Sequence, residues 1–138
     1  YEIDRPGAAV RALGWLAYRA GVAGELYYAA LENWSADPWK DVRAHAGNGD
    51  GILLYPGLPP RLGGEHPFPV ESIRLKLLRD AIEDRELLEL ADRSGLGALA
   101  RELAARVAPS LRGFTRAPEA WRSAHDELGR ALAKSLAP

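Results

Sequence analysis

The stretch "HAGNGDGILLYPG" at residues 45–57 places three glycines, an asparagine and an aspartate directly before a short apolar run. Glycine and short polar residues favour tight turns because they tolerate left-handed backbone conformations. The run "ILLY" at residues 52–55 has the length and composition of a buried strand. We therefore predict a tight turn that leads into a strand, with Asp50 either bonding the backbone of the turn or contributing to a site.

The glycine-rich turn matches neither a phosphate-binding loop nor a calcium loop. A dinucleotide loop follows a strand and opens a helix, whereas this turn precedes a strand. In the twelve-residue calcium pattern the first and last positions would fall on Ala46 and Gly57, which carry no carboxylate. The histidines His45, His66 and His125 lack the spacing of a metal site. We expect neither a metal nor another cofactor.

A second apolar stretch, "VAGELYYAAL" at residues 22–31, is aromatic-rich and nearly uncharged. We predict a strand there, buried on both faces as parallel strands are. The long loop that follows contains two tryptophans, which argue against disorder and favour a functional role. Residues 56–69 are rich in proline and glycine, and we predict a second long loop without regular structure.

The rest of the chain is predicted to be helical. Asp4 is a plausible cap for a first helix, and Gly21 fits the position just after its end. Helical spacing gives this helix an apolar face made of Val10, Leu13, Leu16, Ala17 and Ala20. The predicted helices span residues 4–20, 72–93, 96–107 and 118–136.

The order of these elements predicts an α/β layout. Two buried parallel strands need further strands on their open edges, so we expect the chain to be the last piece of a larger domain. The 138 residues are 47% hydrophobic and 27% charged with a net charge of −1, which gives no reason to expect nucleic acid as a partner. No apolar run approaches the roughly 20 residues that span a bilayer. Because the chain starts at Tyr1 and has no methionine, we expect its native N-terminus to be absent.

Charged residues in the helix predicted at 72–93 allow two interpretations. Glu83 and Asp84 are adjacent carboxylates, as acid/base chemistry requires, yet their mid-helix position favours a solvated, ion-paired face. Arg74 lies in the first turn near the apolar face, where a partly buried cation needs a carboxylate partner or a bound anion. We favour a structural ion pair at Arg74 and keep an anion site open.

Aromatic residues cluster around the end of the strand predicted at 22–31 and the loop after it. Flat, weakly polar rings stack on the apolar faces of sugars, and such rings also anchor loops or fill cores. The aromatic residues in question are Tyr27, Tyr28, Trp34 and Trp39. Both interpretations stay open for them, with core packing favoured for Tyr27.

Two segments taken together resemble a known family. "LYY…NW…DPW…NGDGILLYPG" followed by "SIRLKLLRDAIEDRELLEL" is similar to the C-terminal part of the catalytic domain of glycoside hydrolase family 123. The resemblance implies a TIM barrel of which this chain holds the last two strands and their helices. It places a barrel-type domain at residues 1–95, followed by a helical extension at 96–138. The two long loops would then lie on the catalytic face of the barrel.

The resemblance also implies an activity. Family members are similar to retaining hexosaminidases, which use the acetamido group of the substrate as nucleophile, assisted by an Asp-Glu pair, and are associated with β-N-acetylgalactosaminides. That pair belongs to an earlier strand, so we expect no catalytic residue in this chain and little turnover by it alone. The expected partners are an N-acetylhexosaminide and the preceding part of the same domain.

The family pattern assigns substrate contacts residue by residue, and the buried cation adds one more. These expected substrate-binding residues are Tyr28, Asn33, Trp34, Trp39, Asp50, Tyr55 and Arg74. Two other functions stay open beside the hydrolase. Aromatic stacking without a carboxylate pair would make a non-catalytic carbohydrate-binding module, and the C-terminal helices could form an interaction domain.

Overall fold

Helices make up most of the ordered structure. The computed structural model describes residues 1–32, 37–43 and 47–137. Its elements are α1 (Gly7–Ala20), β1 (Leu54–Gly57), α2 (Pro59–Leu62), β2 (Phe68–Glu71), α3 (Ile73–Arg93), α4 (Gly97–Val107) and α5 (Pro118–Ser135). The mixed helix-and-strand class is confirmed, and the described part of the chain is not a full barrel.

The chain divides into two compact units. Tyr1–Arg5 with Leu26–Leu77 forms the first unit, and Pro6–Glu25 with Leu78–Pro138 forms the second unit. The first unit holds both strands and the glycine-rich turn, whereas the second holds α1, α4 and α5. Helix α3 begins in the first unit and continues in the second.

The strands of the first unit form a two-stranded antiparallel ribbon. Residues Tyr55 and Val70 lie opposite each other, and so do Pro56 and Pro69. A proline has no N–H to donate, so the facing prolines fit a non-hydrogen-bonded pair, where N–H groups point away from the partner strand. The prediction that residues 56–69 lack regular structure is therefore wrong, because part of β1, all of α2 and the start of β2 lie there.

The strand predicted at residues 22–31 is also wrong. Among the described residues this segment makes a single antiparallel bridge, from Leu31 to Ile52. Leu26 is 87% exposed and Tyr28 is 89% exposed, so the segment is not buried on both faces. A strand needs a neighbour along its whole length, whereas the one bridge that this segment makes among the described residues lies at its last residue. The expected parallel pairing of two buried strands is thus replaced by the antiparallel ribbon.

Helix α1 confirms the predicted end and corrects the predicted start and face. Gly21 adopts a left-handed conformation (φ 64°) and caps the helix, as expected. The cap at the other end is Pro6 rather than Asp4. A Cβ on Gly14 would overlap the carbonyl group of Ala81, so the missing side chain allows α1 to approach α3 closely. The buried residues of α1 are Val10, Ala12, Gly14 and Trp15. Of the predicted face, Val10 is buried and Leu16 packs partly buried against the core, so the inward face is shifted from the predicted one.

The second unit has a continuous apolar core. The indole rings of Trp15 and Trp121 meet edge to face with centroids 5.9 Å apart. Leucines and alanines from α3, α4 and α5 pack around them, so the three helices predicted from periodicity share one core. The largest fully buried apolar members are Trp15, Trp121, Leu88, Leu103, Leu128 and Val107. In the part of the chain that the structure describes, no helix is both long and apolar enough to cross a membrane.

Candidate functional site

A cleft opens in the first unit beside the glycine-rich turn. Its volume is about 220 Å³, and it combines aromatic rings with carboxylates. Tyr28 lines this cleft and is 89% exposed, so its ring faces solvent at the rim of the cleft. The described lining residues are Tyr27, Tyr28, Ala29, Glu32, Asp50 and Gly51.

The Tyr27 hydroxyl ties the turn together at one wall of this cleft. It donates a hydrogen bond to Oδ1 of Asp50 at 2.7 Å and accepts one from the backbone N–H of Gly51 at 2.6 Å. Burial raises the pKa of the Tyr27 hydroxyl, and the adjacent Asp50 carboxylate adds to the rise, while the Gly51 N–H opposes it. The hydroxyl therefore stays protonated at neutral pH and remains a donor.

Arg74 also contacts the turn that carries Asp50. Its side chain is 5% exposed, and its guanidinium donates to the backbone carbonyls of Gly49 and Ile52, which flank Asp50. It also donates to the carbonyl of Tyr1 at 2.6 Å and lies 3.4 Å from the Tyr55 hydroxyl. The expected structural ion pair at Arg74 is wrong, because none of its contacts with described residues is with a carboxylate. Three backbone carbonyls, those of Tyr1, Gly49 and Ile52, satisfy the cation instead.

Trp39 lies in a separate cluster of the same unit. Its indole N–H donates to the carbonyl of Pro56 at 2.8 Å, and its ring centroid lies 4.8 Å from that of Tyr55. The Arg61 guanidinium stands 5.6 Å from the indole centroid and bonds the Asp37 carboxylate at 2.8 Å. Trp39 is therefore an anchored and still partly exposed ring.

The structure brings some of the expected substrate-binding residues together. Tyr28 and Asp50 line one cleft, and the rings of Trp39 and Tyr55 pack against each other with their planes tilted by 44°. Arg74 contacts both the turn that carries Asp50 and the Tyr55 hydroxyl. Asn33 and Trp34 lie outside the described residues.

A second polar cluster lies inside the second unit and corrects the prediction for one carboxylate. Asp84 is 1% exposed, and its carboxylate accepts from Nε of Arg11 at 2.7 Å and from Nε1 of Trp15 at 2.7 Å. Nδ1 of His125 lies 2.6 Å from its other oxygen. Of the two adjacent carboxylates, only Glu83 forms the predicted exposed ion pair, with its Oε1 at 3.4 Å from Nε of Arg79. The hydrogen bond to Asp84 raises the pKa of Arg11 above its ordinary value.

Sequence spacing contains a signal for the buried Asp84 that the charge pairing obscured. Ala81, Asp84, Leu88 and Ala91 follow one another at intervals of three and four, which places the aspartate in the buried stripe of α3. Tyr27 and Glu32 were missed as cleft residues because their partners lie in a distant part of the sequence. The described residues contain no group of three or more histidine, cysteine or carboxylate side chains that could hold a metal ion.

Comparison with known proteins shows which family the chain resembles. No curated protein matches the chain. The family model described as glycoside hydrolase 123, catalytic domain, matches residues 3–91, which is more than half of the chain and includes all the described residues that line the cleft. The match stops within α3, so α4 and α5 lie beyond it. The chain therefore belongs to glycoside hydrolase family 123, through a part of that family's catalytic domain.

Proposed function

We propose that this chain is the C-terminal portion of a glycoside hydrolase that acts on β-N-acetylgalactosaminides or related N-acetylhexosaminides. Membership of the family supports a carbohydrate substrate. The chain contributes substrate contacts, and the Asp-Glu pair that assists the acetamido nucleophile lies in a part of the parent protein that precedes it. Residues 1–95 complete a TIM-type barrel together with that part, and residues 96–138 form a helical extension.

The observation that carries this proposal is the pairing of an exposed aromatic ring with a carboxylate in one cleft. The flat face of Tyr28 suits the apolar face of a sugar ring, and the oxygens of Asp50 accept hydrogen bonds from sugar hydroxyls. The cleft, at about 220 Å³, is smaller than the roughly 300–1,000 Å³ pockets that enclose drug-sized ligands. We therefore assign it a single sugar ring.

The adjacent rings of Trp39 and Tyr55 supply a second aromatic surface in the same unit. An indole fixed through its N–H to the carbonyl of Pro56 keeps one orientation, so little side-chain entropy is lost when a ligand stacks on it. We assign this pair to a neighbouring part of the sugar-binding rim. The rim also includes Asn33 and Trp34, which the family pattern assigns to it.

The test compares the full-length parent protein with this chain. We expect the parent to hydrolyse an aryl β-N-acetylgalactosaminide, and the chain alone to bind the sugar without turnover. In the parent, Tyr28→Ala should raise KM about tenfold, as the loss of one stacking contact of about 1 kcal/mol or more predicts. Leu26→Ala is the matched control, because Leu26 is equally exposed but does not line the cleft.

Other outcomes identify the alternatives. Sugar binding by a parent protein that never cleaves the substrate would favour a non-catalytic carbohydrate-binding module. Tight capture of a protein partner through the helices at 96–138, with no sugar binding by the chain, would favour an interaction domain. Equal KM values for Tyr28→Ala and the unaltered parent would remove Tyr28 from the site.

A further inference from the structure

The hydroxyl of Tyr27 has a single possible hydrogen-bonding arrangement. The backbone N–H of Gly51 can only donate, and the ionised carboxylate of Asp50 can only accept. The Tyr27 oxygen lies 2.6 Å from the first and 2.7 Å from the second. Its proton therefore points at Asp50, and the contact fixes the position of one carboxylate oxygen.

The groups on both sides of this contact are themselves held in place. The Tyr27 ring meets Tyr1 edge to face, with centroids 4.5 Å apart and planes at 81°. Gly51 has a φ of +73°, and a Cβ there would come within 2.7 Å of Cγ of Glu32. The turn therefore requires glycine at this position, and Arg74 donates hydrogen bonds to the carbonyls of Gly49 and Ile52, before and after Asp50. The Tyr27 ring is held by Tyr1 and the Asp50 backbone by Arg74.

A carboxylate has two oxygens and about four acceptor positions, so the contact with Tyr27 leaves capacity for a ligand. Asp50 lines the cleft, and Tyr27 forms part of the same wall. An aspartate side chain without such a contact samples several rotamers, and a ligand must then select one of them. Holding one oxygen removes that loss of entropy and directs the carboxylate before a sugar arrives.

We propose that Tyr27 is a positioning residue, which orients the Asp50 carboxylate to accept a hydrogen bond from a ring hydroxyl of an N-acetylhexosaminide. This inference rests on the proposed sugar site. It assigns Tyr27 a role that acts through Asp50 and needs no contact between Tyr27 and the sugar. Loss of the Tyr27 hydroxyl should therefore weaken recognition of one hydroxyl group only.

The experiment is an NMR titration of this chain with methyl β-N-acetylgalactosaminide and with analogues that each lack one ring hydroxyl. Tyr27→Phe should bind the complete sugar about tenfold more weakly, as the loss of one well-placed hydrogen bond predicts. It should bind the analogue that lacks the recognised hydroxyl as well as the unaltered chain does. Tyr18→Phe is the matched control, since its buried hydroxyl has no hydrogen-bond partner among the described residues.

Each remaining outcome decides against the proposal. A loss of affinity that is the same for every sugar would mean that Tyr27 only supports the fold. If the unaltered chain binds no N-acetylhexosaminide, the proposed function fails together with this inference. A separate measurement without ligand distinguishes the two failures, because scalar couplings should show a single Asp50 rotamer in the unaltered chain and averaging in Tyr27→Phe. An unchanged rotamer would overturn the positioning role whatever the sugar result.

A second variant covers the case in which Tyr27→Phe does not fold. Asp50→Asn keeps the shape of the side chain and the contact with the Tyr27 hydroxyl, but it weakens the acceptor. This variant should lose the preference for the complete sugar over the analogue that lacks the recognised hydroxyl. Retention of that preference would show that Asp50 does not read the hydroxyl, and the proposal would fall.

Discussion

Nδ1 of His125 lies 2.6 Å from Oδ1 of the buried Asp84, although only Asp84 belongs to the segment that matches the family. Trp121, one turn before His125 on α5, packs against Trp15 of α1. Helix α5 therefore contributes both a polar and an apolar contact to helices of the family domain. The residues beyond the match are part of the core of the second unit.

Replacement of Asp84 by asparagine should destabilise the second unit strongly. The change leaves the partly buried Arg11 cation without its counter-charge, and breaking a buried pair by removing one partner costs about 3–5 kcal/mol. We expect Asp84→Asn to lower the free energy of unfolding, measured by urea denaturation, by about 3 kcal/mol.

The neighbouring carboxylate provides the control for this prediction. Glu83→Gln removes the same charge from the exposed face of α3, where its partner among the described residues is Arg79. We expect a change within about 0.5 kcal/mol. Equal effects of the two substitutions would contradict the role given to the Asp84 cluster.

Gly14 should tolerate no side chain. A Cβ there would overlap the carbonyl oxygen of Ala81 and approach its carbonyl carbon to 2.7 Å, so α1 and α3 must separate. We expect Gly14→Ala to lower the free energy of unfolding by about 3 kcal/mol, as overpacking against a rigid backbone predicts. Thermal unfolding followed by circular dichroism measures the effect.

Gly129 is the matched position on α5. A Cβ at Gly129 meets no heavy atom within 4 Å, so Gly129→Ala should stabilise the helix by up to about 1 kcal/mol. A stabilising effect at Gly14 as well would show that the two helices do not approach as closely as the structure has them.

The helices were predictable because their signals are local. Gly21 and Gly95 end α1 and α3 through positive φ angles that glycine adopts readily, and such stops can be read from adjacent residues. The inward face of α1 was not predictable in the same way. It depends on how closely Gly14 lets α1 approach Ala81, which is a property of two helices rather than one pattern.

The strands and the cleft were less predictable because they depend on distant partners. The apolar segment at 22–31 has the composition of a buried strand, but a strand forms only where a neighbour runs beside it. The turn around Asp50 was predicted from its glycines, whereas the partner of Asp50 is Tyr27, 23 positions away. Only the family resemblance placed residues from both segments in one site.

The stability of the folded chain should fall at alkaline pH through Tyr18. Burial raises the pKa of its hydroxyl from 10 to about 12, with the Asp92 carboxylate adding to the rise. The folded state thus holds the proton more tightly than the unfolded state. Its contribution is fully present below pH 10 and is lost as the pH rises from 10 to about 12.

Tyr18→Phe should remove that part of the alkaline decline. Urea denaturation of both proteins over this pH range should show a shallower loss of stability in the variant. At neutral pH the two should differ little, since the buried hydroxyl has no hydrogen-bond partner among the described residues to lose. Parallel curves for the two proteins above pH 10 would contradict the assignment.

Arg74→Lys should destabilise the first unit although it keeps the positive charge. The planar guanidinium reaches the carbonyls of Tyr1, Gly49 and Ile52 at once, and an ammonium group cannot reproduce that fork. The Gly49 carbonyl keeps the N–H of Ile52 as a donor. A buried carbonyl left without a donor costs about 1–3 kcal/mol, so we expect a loss of about 1–3 kcal/mol in the free energy of unfolding, mainly from the Ile52 carbonyl. Sugar binding should weaken in parallel, because the same carbonyls fix the turn that carries Asp50.

Arg79→Lys, on the exposed face of the same helix, is the control for this prediction. Among the described residues Arg79 pairs with the surface carboxylates Asp80 and Glu83, so lysine should cost no more than about 0.5 kcal/mol. Urea denaturation and the sugar titration measure both effects on one pair of proteins. If Arg74→Lys unfolds like Arg79→Lys but binds sugar more weakly, Arg74 would contact the sugar directly, as its place among the expected substrate-binding residues requires.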